Sequence, residues 1–283
     1  MTLQTLPSHL VRRAVEAALA EDLGDAGDIT SAATIPPNTK TKGKIVARAP
    51  GVIAGISLAQ ETFAQVDPDI SVTVNNNDGA LTASGAEVLL LEGPARGILT
   101  AERVALNFLG HLSGVATATA ALVDAVKGTG AQIVCTRKTT PGLRAFEKYA
   151  VRCGGGHNHR FGLYDAVMIK DNHIAAVGGI RKAIEACRAS VGHMVKIEVE
   201  IDGLDQLDAA LNGGADIIML DNMSTADMQK AVEITAGRAV LEASGNVTVD
   251  TVRAIAETGV DIISSGWITH SAPSLDLGLD FPA

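Results

Sequence analysis

One pattern recurs in the second half of the chain, in VKIEVEI (195–201), DIIMLDN (216–222), AVLEASGN (239–246) and DIISSG (261–266). Each stretch is a short apolar run that ends in polar residues, and helix-like stretches such as Leu204–Leu211 and Ala226–Thr235 lie between them. Six such units in about 140 residues indicate βαβ units with parallel strands. The strands are expected at Gln132–Cys135, Ala166–Ile169, Val195–Val199, Asp216–Leu220, Ala239–Leu241 and Asp261–Ile263.

The positions of the polar residues distinguish between two parallel architectures. A doubly wound sheet concentrates its site at one or two switch points, whereas a β/α barrel collects residues from nearly every strand end. The pattern favours a barrel, and six strands in place of the usual eight indicate a reduced or open one. Reactive side chains follow nearly every expected strand, at Thr136–Lys138, Lys170–His173, Glu200, Asp221–Asn222, Ser244–Asn246 and Ser264–Gly266.

The N-terminal part of the chain is organised differently. Between about residues 42 and 92, short β-like runs alternate with turn signals such as Pro50-Gly51 and Asp78-Gly79. Helical periodicity covers 8–21, 57–66 and 100–126. We therefore expect an α+β module of roughly a hundred residues ahead of the barrel, and an α/β protein as a whole.

Composition narrows the function classes. The chain has 283 residues, 47% apolar residues and a formal net charge of −9. The apolar fraction excludes intrinsic disorder, and the acidic balance argues against binding to nucleic acid or to an anionic membrane. The three cysteines are widely spaced, and no apolar run has the length of a signal or of a membrane span, so a cytoplasmic protein is expected.

A basic cluster interrupts this acidic background. Residues 137–170 contain seven Lys or Arg residues and two acidic residues. Four of the basic residues stand at strand ends or just after a glycine turn, where they can bind carboxylates: Arg137, Lys138, Arg160 and Lys170. The other three have helical spacing and are expected to form a solvated helix face: Arg144, Lys148 and Arg152.

Acidic residues form a second candidate cluster. The period of two places Lys196, Glu198 and Glu200 on one face of a strand, and that face is expected to point into the barrel. Glu200 and Asp221 then end adjacent strands, which suits a hard cation such as Mg²⁺ better than zinc. A buried ion-pair network with Lys196 is the alternative interpretation.

Two loops of small residues end the last two strands, Ser244–Asn246 and Ser264–Gly266. Loops at these strands of β/α barrels commonly bind phosphate through backbone N–H groups and a helix N-terminus. His270 lies four residues further on and could add a donor. A polycarboxylate, a phosphate and Mg²⁺ in one cavity fit the transfer of a phosphorylated sugar to an acidic acceptor.

Over essentially its whole length the chain resembles the quinolinate phosphoribosyltransferases, the nicotinate-nucleotide pyrophosphorylases (carboxylating). Three linked motifs carry the resemblance, TRKTTPGLR (136–144), GGGHNHR (154–160) and IKDNH (169–173). Further matches are EDLG (21–24), GDIT (27–30), TAER (100–103), Asn107, LSG (112–114), EVE (198–200), LDN (220–222), EASG (242–245), SG (265–266) and THS (269–271). Two positions depart from the commonest pattern: Asn246, where a glycine is frequent, and Trp267, where a smaller residue often stands.

The resemblance implies a fold and a reaction. The fold is an N-terminal α/β sandwich domain over 1–112, joined by the C-terminal tail 271–283, and an open, roughly six-stranded β/α barrel over 113–270. The reaction moves phosphoribosyl from phosphoribosyl pyrophosphate to quinolinate and releases CO₂ and pyrophosphate. It would occur in a homodimer with shared active sites, and the question of assembly into hexamers stays open. A paralogue that acts on another acidic acceptor, or a non-catalytic protein that binds a phosphorylated metabolite, is the alternative.

The resemblance also implies residue roles. Lys138, Glu200 and Asp221 would be catalytic, and Glu200 and Asp221 would face Mg²⁺ directly or through water. The residues for quinolinate would be Arg103 from the neighbouring subunit, Arg137, His159, Arg160 and Lys170. The residues for phosphate would be Ser244, Gly245, Asn246, Ser264, Ser265, Gly266 and His270.

Overall fold

The N-terminal part of the chain folds around an antiparallel sheet in a computed structural model that describes residues 3–281. The chain divides into two units. The N-terminal unit runs to Ala120 and adds Ala145–Gly155 and the chain from Ser271 onward, while the C-terminal unit consists of Ala121–Arg144 and Gly156–His270.

Helices and strands alternate along the chain. The first group is α1 (Ser8–Leu23), α2 (Ile29–Thr34), β1 (Lys40–Ala47), β2 (Gly51–Val52), α3 (Ile56–Val66), β3 (Ser71–Val74), β4 (Leu81–Thr82), β5 (Glu87–Pro94) and α4 (Ala95–Ala125). The second group is β6 (Gln132–Val134), α5 (Arg144–Cys153), β7 (Val167–Ile169), α6 (Asp171–Val177), α7 (Ile180–Ser190), β8 (Ile197–Ile201), α8 (Leu207–Gly213), β9 (Ile217–Asp221), α9 (Thr225–Thr235), β10 (Val240–Ser244), α10 (Val249–Ala256), β11 (Ile262–Ser264), α11 (Trp267–His270) and β12 (Leu277–Asp280). A 3₁₀ turn at Leu204–Gln206 precedes α8.

The sheet of the N-terminal unit has the strand order β12-β1-β5-β3, and every pairing in it is antiparallel. The last strand, β12, pairs with β1 in the register Ala47↔Leu277, so a C-terminal segment completes the sheet of the N-terminal unit. Its apolar face packs against α3 and α4 around the fully buried Phe63 and Leu109. Burial of this cluster stabilises the unit by the hydrophobic effect.

Helix α4 is long and apolar enough to cross a membrane by length and composition alone. It passes that test although Arg96, Glu102 and Arg103 interrupt it. In this structure 61% of its most apolar window is buried inside the protein. Ile98, Ala105 and other residues on one of its faces belong to the core of the N-terminal unit, which accounts for the apolar composition.

The C-terminal unit contains six parallel strands in the order β6-β11-β10-β9-β8-β7. The first strand lies beside the last, and the others follow in sequence order. Strands β6 and β7 are the two edges of this sheet, and β6 makes one further parallel bridge, Val134↔His157, to the segment that precedes β7. This topology confirms the expected open, six-stranded β/α barrel.

All six predicted barrel strands are present, with small shifts of their ends. Strand β10 extends to Ser244, three residues beyond the predicted end, because Glu242 and Ser244 continue the inward face of the strand. The register pairs Ser244 with Asp221 on one side and with Ser264 on the other. The polar ends of the strands therefore meet at one edge of the barrel.

Candidate active site

A cavity of about 730 Å³ opens at the carboxyl ends of the six barrel strands. The predicted site residues of the C-terminal unit all line it. Its lining consists of Thr136, Arg137, Lys138, His159, Arg160, Met168, Lys170, Glu200, Met219, Asp221, Asn222, Glu242, Ser244, Gly245, Asn246, Val247, Thr248, Ser264, Ser265, Gly266, Trp267 and His270.

Two guanidinium groups form the most basic part of the wall. The Nε atom of Arg137 is buried and has no hydrogen-bond partner within residues 3–281. Burial and the nearby charge of Arg137 lower the pKa of Arg160, while Glu198 and Asp165 oppose that effect. Two adjacent cations with a buried N–H group that lacks an acceptor are suited to bind an anion.

Arg160 is held in place by its own loop. Its backbone N–H donates to Nδ1 of His159 at 2.7 Å, and its Nη1 donates to the carbonyl of Ala166 at 3.1 Å. The side chain of Asp165 accepts from the backbone N–H groups of Phe161 and Gly162, at 2.7 and 2.9 Å. These bonds fix the turn that follows the glycine run and place both His159 and Arg160 on the cavity wall.

Lys138 reaches the cavity from the turn after β6. Its backbone N–H donates to Thr136 Oγ1 at 3.0 Å, and its carbonyl accepts from Thr269 Oγ1 at 2.7 Å. A Cβ atom at Gly266 would lie 2.9 Å from Cδ of Lys138. The glycine therefore leaves room for the lysine stem to pass beside the loop Ser264–Gly266.

The two predicted catalytic carboxylates lie at the ends of β8 and β9. Glu200 forms an ion pair with Lys170, and Asp221 accepts from Asn222 Nδ2 at 2.8 Å. Both side chains face the cavity, and both offer only oxygen atoms, the ligands that Mg²⁺ prefers. The donor set therefore fits Mg²⁺, provided that Lys170 gives up its partner.

The two small-residue loops have the geometry of a phosphate cradle. Gly245 has φ +104°, and a Cβ there would lie 2.1 Å from Oδ1 of Asn222, so only glycine fits. Asn246 also lies in the left-handed region, with φ 50°, a conformation that glycine adopts without strain and asparagine more readily than most residues. The Ser265 hydroxyl is buried without a partner among the described residues. Helix α10 starts at the end of the first loop, capped by Thr248.

Sequence reasoning assigned no role to Glu242, which lines the floor of the cavity and is 1% exposed. With Glu198 it flanks His159, whose Nε2 lies 3.0 Å from Glu198 Oε2 and 3.7 Å from Glu242 Oε2. Burial, and then the charge of Glu198, raises the pKa of Glu242 to about 7. The sequence did contain a signal for this residue, because an acidic residue between the apolar Leu241 and Ala243 in a strand indicates a buried carboxyl group.

Two predictions for the charged clusters were wrong. Lys196 does not point into the barrel: it precedes β8, is exposed, and pairs with Asp216 at 3.2 Å. Arg144, Lys148 and Arg152 do not form a solvated helix face, because Lys148 is 0% exposed and the Arg144 guanidinium donates to the Phe161 carbonyl at 3.0 Å. Both errors came from period alone, which does not show where an element packs.

Arg103 is the one predicted site residue outside the cavity lining. It lies on α4 in the N-terminal unit, and its side chain is exposed.

Comparison with known proteins covers nearly the whole chain. Residues 28–113 match the N-terminal domain, and residues 115–280 the C-terminal domain, of the family described as quinolinate phosphoribosyl transferase. Nicotinate-nucleotide pyrophosphorylase [carboxylating] of Mycobacterium leprae is 48% identical, with 95% of this chain and 96% of the relative covered. A probable enzyme of the same name from Bacillus subtilis is 45% identical, with 92% and 89% covered.

Solved structures agree with the sequence comparison. The nicotinate-nucleotide pyrophosphorylase of Francisella tularensis superposes with a TM-score of 0.95 at 41% identity, over 100% of this chain and 99% of that one. Fold, sequence and domain order therefore all point to one family.

Proposed function

The chain belongs to the quinolinate phosphoribosyltransferase family, and from that premise we propose that its barrel cavity transfers phosphoribosyl from phosphoribosyl pyrophosphate to quinolinate. Loss of CO₂ accompanies the transfer and yields nicotinate mononucleotide and pyrophosphate, a step of de novo NAD biosynthesis. The enzyme is a pentosyltransferase.

One observation carries the substrate assignment, namely the buried, unpartnered Nε of Arg137 beside the Arg160 guanidinium. A buried N–H without an acceptor costs free energy that a bound carboxylate would recover. Lys138 and Lys170 line the same cavity and supply two further cations. This set suits the two adjacent carboxylates of quinolinate better than a single carboxylate, because the cations outnumber what one anion can pair with.

The opposite side suits the 5-phosphate of the second substrate. The loops Ser244–Asn246 and Ser264–Gly266 present small residues, and the Ser265 hydroxyl is a donor without a partner among the described residues. The N-terminus of α10 adds a favourable dipole for an anion. We assign Ser244, Gly245, Asn246, Ser264, Ser265, Gly266 and His270 to this phosphate.

The chemistry follows from the placement of the two substrates between these sides. Holding quinolinate against the arginines aims its ring nitrogen at C1 of the ribose, which saves much of the entropy of a bimolecular encounter. As pyrophosphate leaves, positive charge develops on the ribosyl ring, and the carboxylates of Glu200 and Asp221 stabilise it. Glu200 and Asp221 would hold Mg²⁺ nearby, and the ion would neutralise negative charge on the leaving pyrophosphate.

Decarboxylation follows from the bond that has formed. N-alkylation makes the quinolinate ring a pyridinium, which accepts the electron pair of the breaking C–C bond when the carboxylate next to the nitrogen leaves as CO₂. The ring carbon then takes a proton. The desolvated basic pocket holds the remaining carboxylate during this step. Lys138, near both subsites, is part of that pocket.

Lys170 and Glu200 must separate during the cycle. They are paired in this structure, yet Lys170 is assigned to quinolinate and Glu200 to the ribose. Quinolinate binding supplies the alternative partner for Lys170 and releases the carboxylate of Glu200. Quinolinate therefore prepares the subsite for the ribose.

We further propose a cytoplasmic homodimer in which Arg103 completes the quinolinate site of the partner. Its support is the exposure of Arg103 on α4 and its absence from the lining of the cavity among the described residues. Mixing Arg103→Ala and Arg137→Ala variants, each impaired by itself, should restore activity at low quinolinate concentration, since one site of each mixed dimer would carry neither change. No recovery after subunit exchange would contradict a shared site.

The function is tested by the release of labelled CO₂ from carboxyl-labelled quinolinate in the presence of phosphoribosyl pyrophosphate and Mg²⁺, with nicotinate as control acceptor. Nucleotide formation from quinolinate but not from nicotinate is expected. Turnover of nicotinate would indicate a paralogue, and calorimetric binding of both substrates without turnover would indicate a binding protein.

A further inference from the structure

A buried acidic pair lies under the basic wall of the cavity. Glu198 and Glu242 are 3% and 1% exposed, and both lie against Nε2 of His159. One oxygen of each carboxyl group, Oε1, has no hydrogen-bond partner in the described part of the chain. The ligand atoms of His159, Glu198 and Glu242 lie close enough together to hold a metal ion. Whether a metal ion or a proton lies between them depends on which nitrogen of His159 carries a proton.

The hydrogen bonds of His159 decide its tautomer. Nδ1 accepts the backbone N–H of Arg160 at 2.7 Å, so this nitrogen carries a lone pair and no proton. A neutral imidazole must then carry its proton on Nε2, which points at Glu198 Oε2 from 3.0 Å. A metal ion on Nε2 would move the proton to Nδ1, where it would face the N–H of Arg160. The geometry therefore argues for a proton between His159 and Glu198 and against a metal ion.

Arg160 connects this hydrogen-bonded pair to the substrate. The backbone of Arg160 is attached to the imidazole, and its guanidinium lies on the cavity wall. Glu198 also supplies a negative charge that favours the charged form of this guanidinium, against burial and the repulsion of Arg137. One carboxylate therefore acts on Arg160 both through the ring of His159 and through space.

Resting on the function proposed above, we infer that Glu198 is a positioning residue of the quinolinate pocket, which fixes the Nε2-protonated tautomer of His159 and thereby aims Arg160 at the substrate. Glu198 does not touch quinolinate itself. His159 acts in this arrangement as an orienting link, since both of its ring nitrogens are engaged by the protein.

The first measurement needs no substrate. Proton–nitrogen correlation spectra of the enzyme labelled in its histidine rings, with His159 assigned by its loss in His159→Gln, should show a protonated Nε2 and an unprotonated Nδ1. A proton on Nδ1 would overturn the inference, whether or not any variant at position 198 folds. Glu198→Leu removes the acceptor and should shift the proton toward Nδ1, whereas Glu198→Gln keeps an acceptor oxygen and should retain the wild-type pattern.

The second measurement separates positioning from a general structural role. Loss of one bond to a charged group commonly changes binding by about tenfold, so Glu198→Leu should raise the KM for quinolinate by about tenfold and leave the KM for phosphoribosyl pyrophosphate within about twofold. Glu198→Gln should restore the KM for quinolinate to within about threefold of wild type. Glu233→Gln, on the exposed face of α9, is the matched control and should change neither constant.

Equal increases in both constants, or a Glu198→Gln variant as impaired as Glu198→Leu, would overturn the inference. Failure of the proposed function looks different: wild-type enzyme would then release no CO₂ from quinolinate, while the tautomer of His159 would still be measured.

Discussion

Ionisation of Glu242 should limit the stability of the C-terminal unit above neutral pH. Its carboxyl group is 1% exposed, and burial and the charge of Glu198 raise its pKa from 4.5 to about 7. The folded protein therefore binds this proton more tightly than the unfolded chain, and the stability that this confers is fully present below about pH 4.5 and lost as the pH rises through about 7. Such a difference corresponds to about 3 kcal/mol.

Glu242→Gln removes the ionisation and keeps the shape of the side chain. We expect the variant to be more stable than wild type by about 3 kcal/mol at pH 8 and by less than about 1 kcal/mol at pH 5. Its amide can also donate to Glu198, which would relieve the repulsion between the two carboxyl groups. The measurement is urea unfolding followed by fluorescence of Trp267, the single tryptophan, which lies in the same unit.

The control is Glu233→Gln, because that glutamate is exposed on α9 of the same unit and its removal should change stability by less than about 0.5 kcal/mol at either pH. A gain at pH 5 equal to the gain at pH 8 would show that packing, not ionisation, causes the effect. No gain at pH 8 would refute the raised pKa of Glu242.

Substitutions at three further positions test the two sides of the cavity. Arg137→Ala should raise the KM for quinolinate by about 10- to 100-fold and spare that for phosphoribosyl pyrophosphate, because it removes a guanidinium with a buried, unpartnered Nε; equal effects on both constants would contradict the subsite. Gly245→Ala should weaken phosphoribosyl pyrophosphate binding measured by calorimetry, since its Cβ would lie 2.1 Å from Asn222 Oδ1; unchanged affinity would exclude this loop from the phosphate site. Asn246→Ala should lower stability by about 1 kcal/mol through its left-handed φ, while Asn246→Gly should not, as thermal unfolding of both would show.

The sequence predicted the barrel well because its signal is local. Each strand is a short apolar run, and the polar residues after it mark the edge where the site forms, as at Asp221 and Ser264. Strand β10 shows where that signal ends, because its predicted end at Leu241 misses Glu242 and Ser244. Polar residues that face a cavity from inside a strand look like loop residues in a single sequence.

The errors on charged residues have another cause. Lys148 has the spacing of a surface lysine, yet it is fully buried, because the face that α5 buries depends on elements far away in sequence. Lys196 shares the inward period of Glu198, but it lies before the first residue of β8, where the chain is still exposed. Period assigns a residue to a face, while the length and packing of the element decide whether that face is buried at that point.

The charge pairs inside the cavity could not be predicted from the sequence either, because they too depend on how distant elements pack. These pairs bear directly on the choice of substrate. Lys170 finds Glu200 and His159 finds Glu198 only because β8 lies beside β7 in the sheet and beside the loop that carries His159. These pairs lower the cost of burying so many charges before substrate arrives. Arg137, unlike Lys170 and His159, has a buried nitrogen, Nε, without a partner within the described residues. The free-energy cost of removing this group from water would be compensated when an anion binds. We therefore expect the cavity to discriminate by charge, because a ligand with one carboxylate less would leave a buried donor unpaired, which costs free energy.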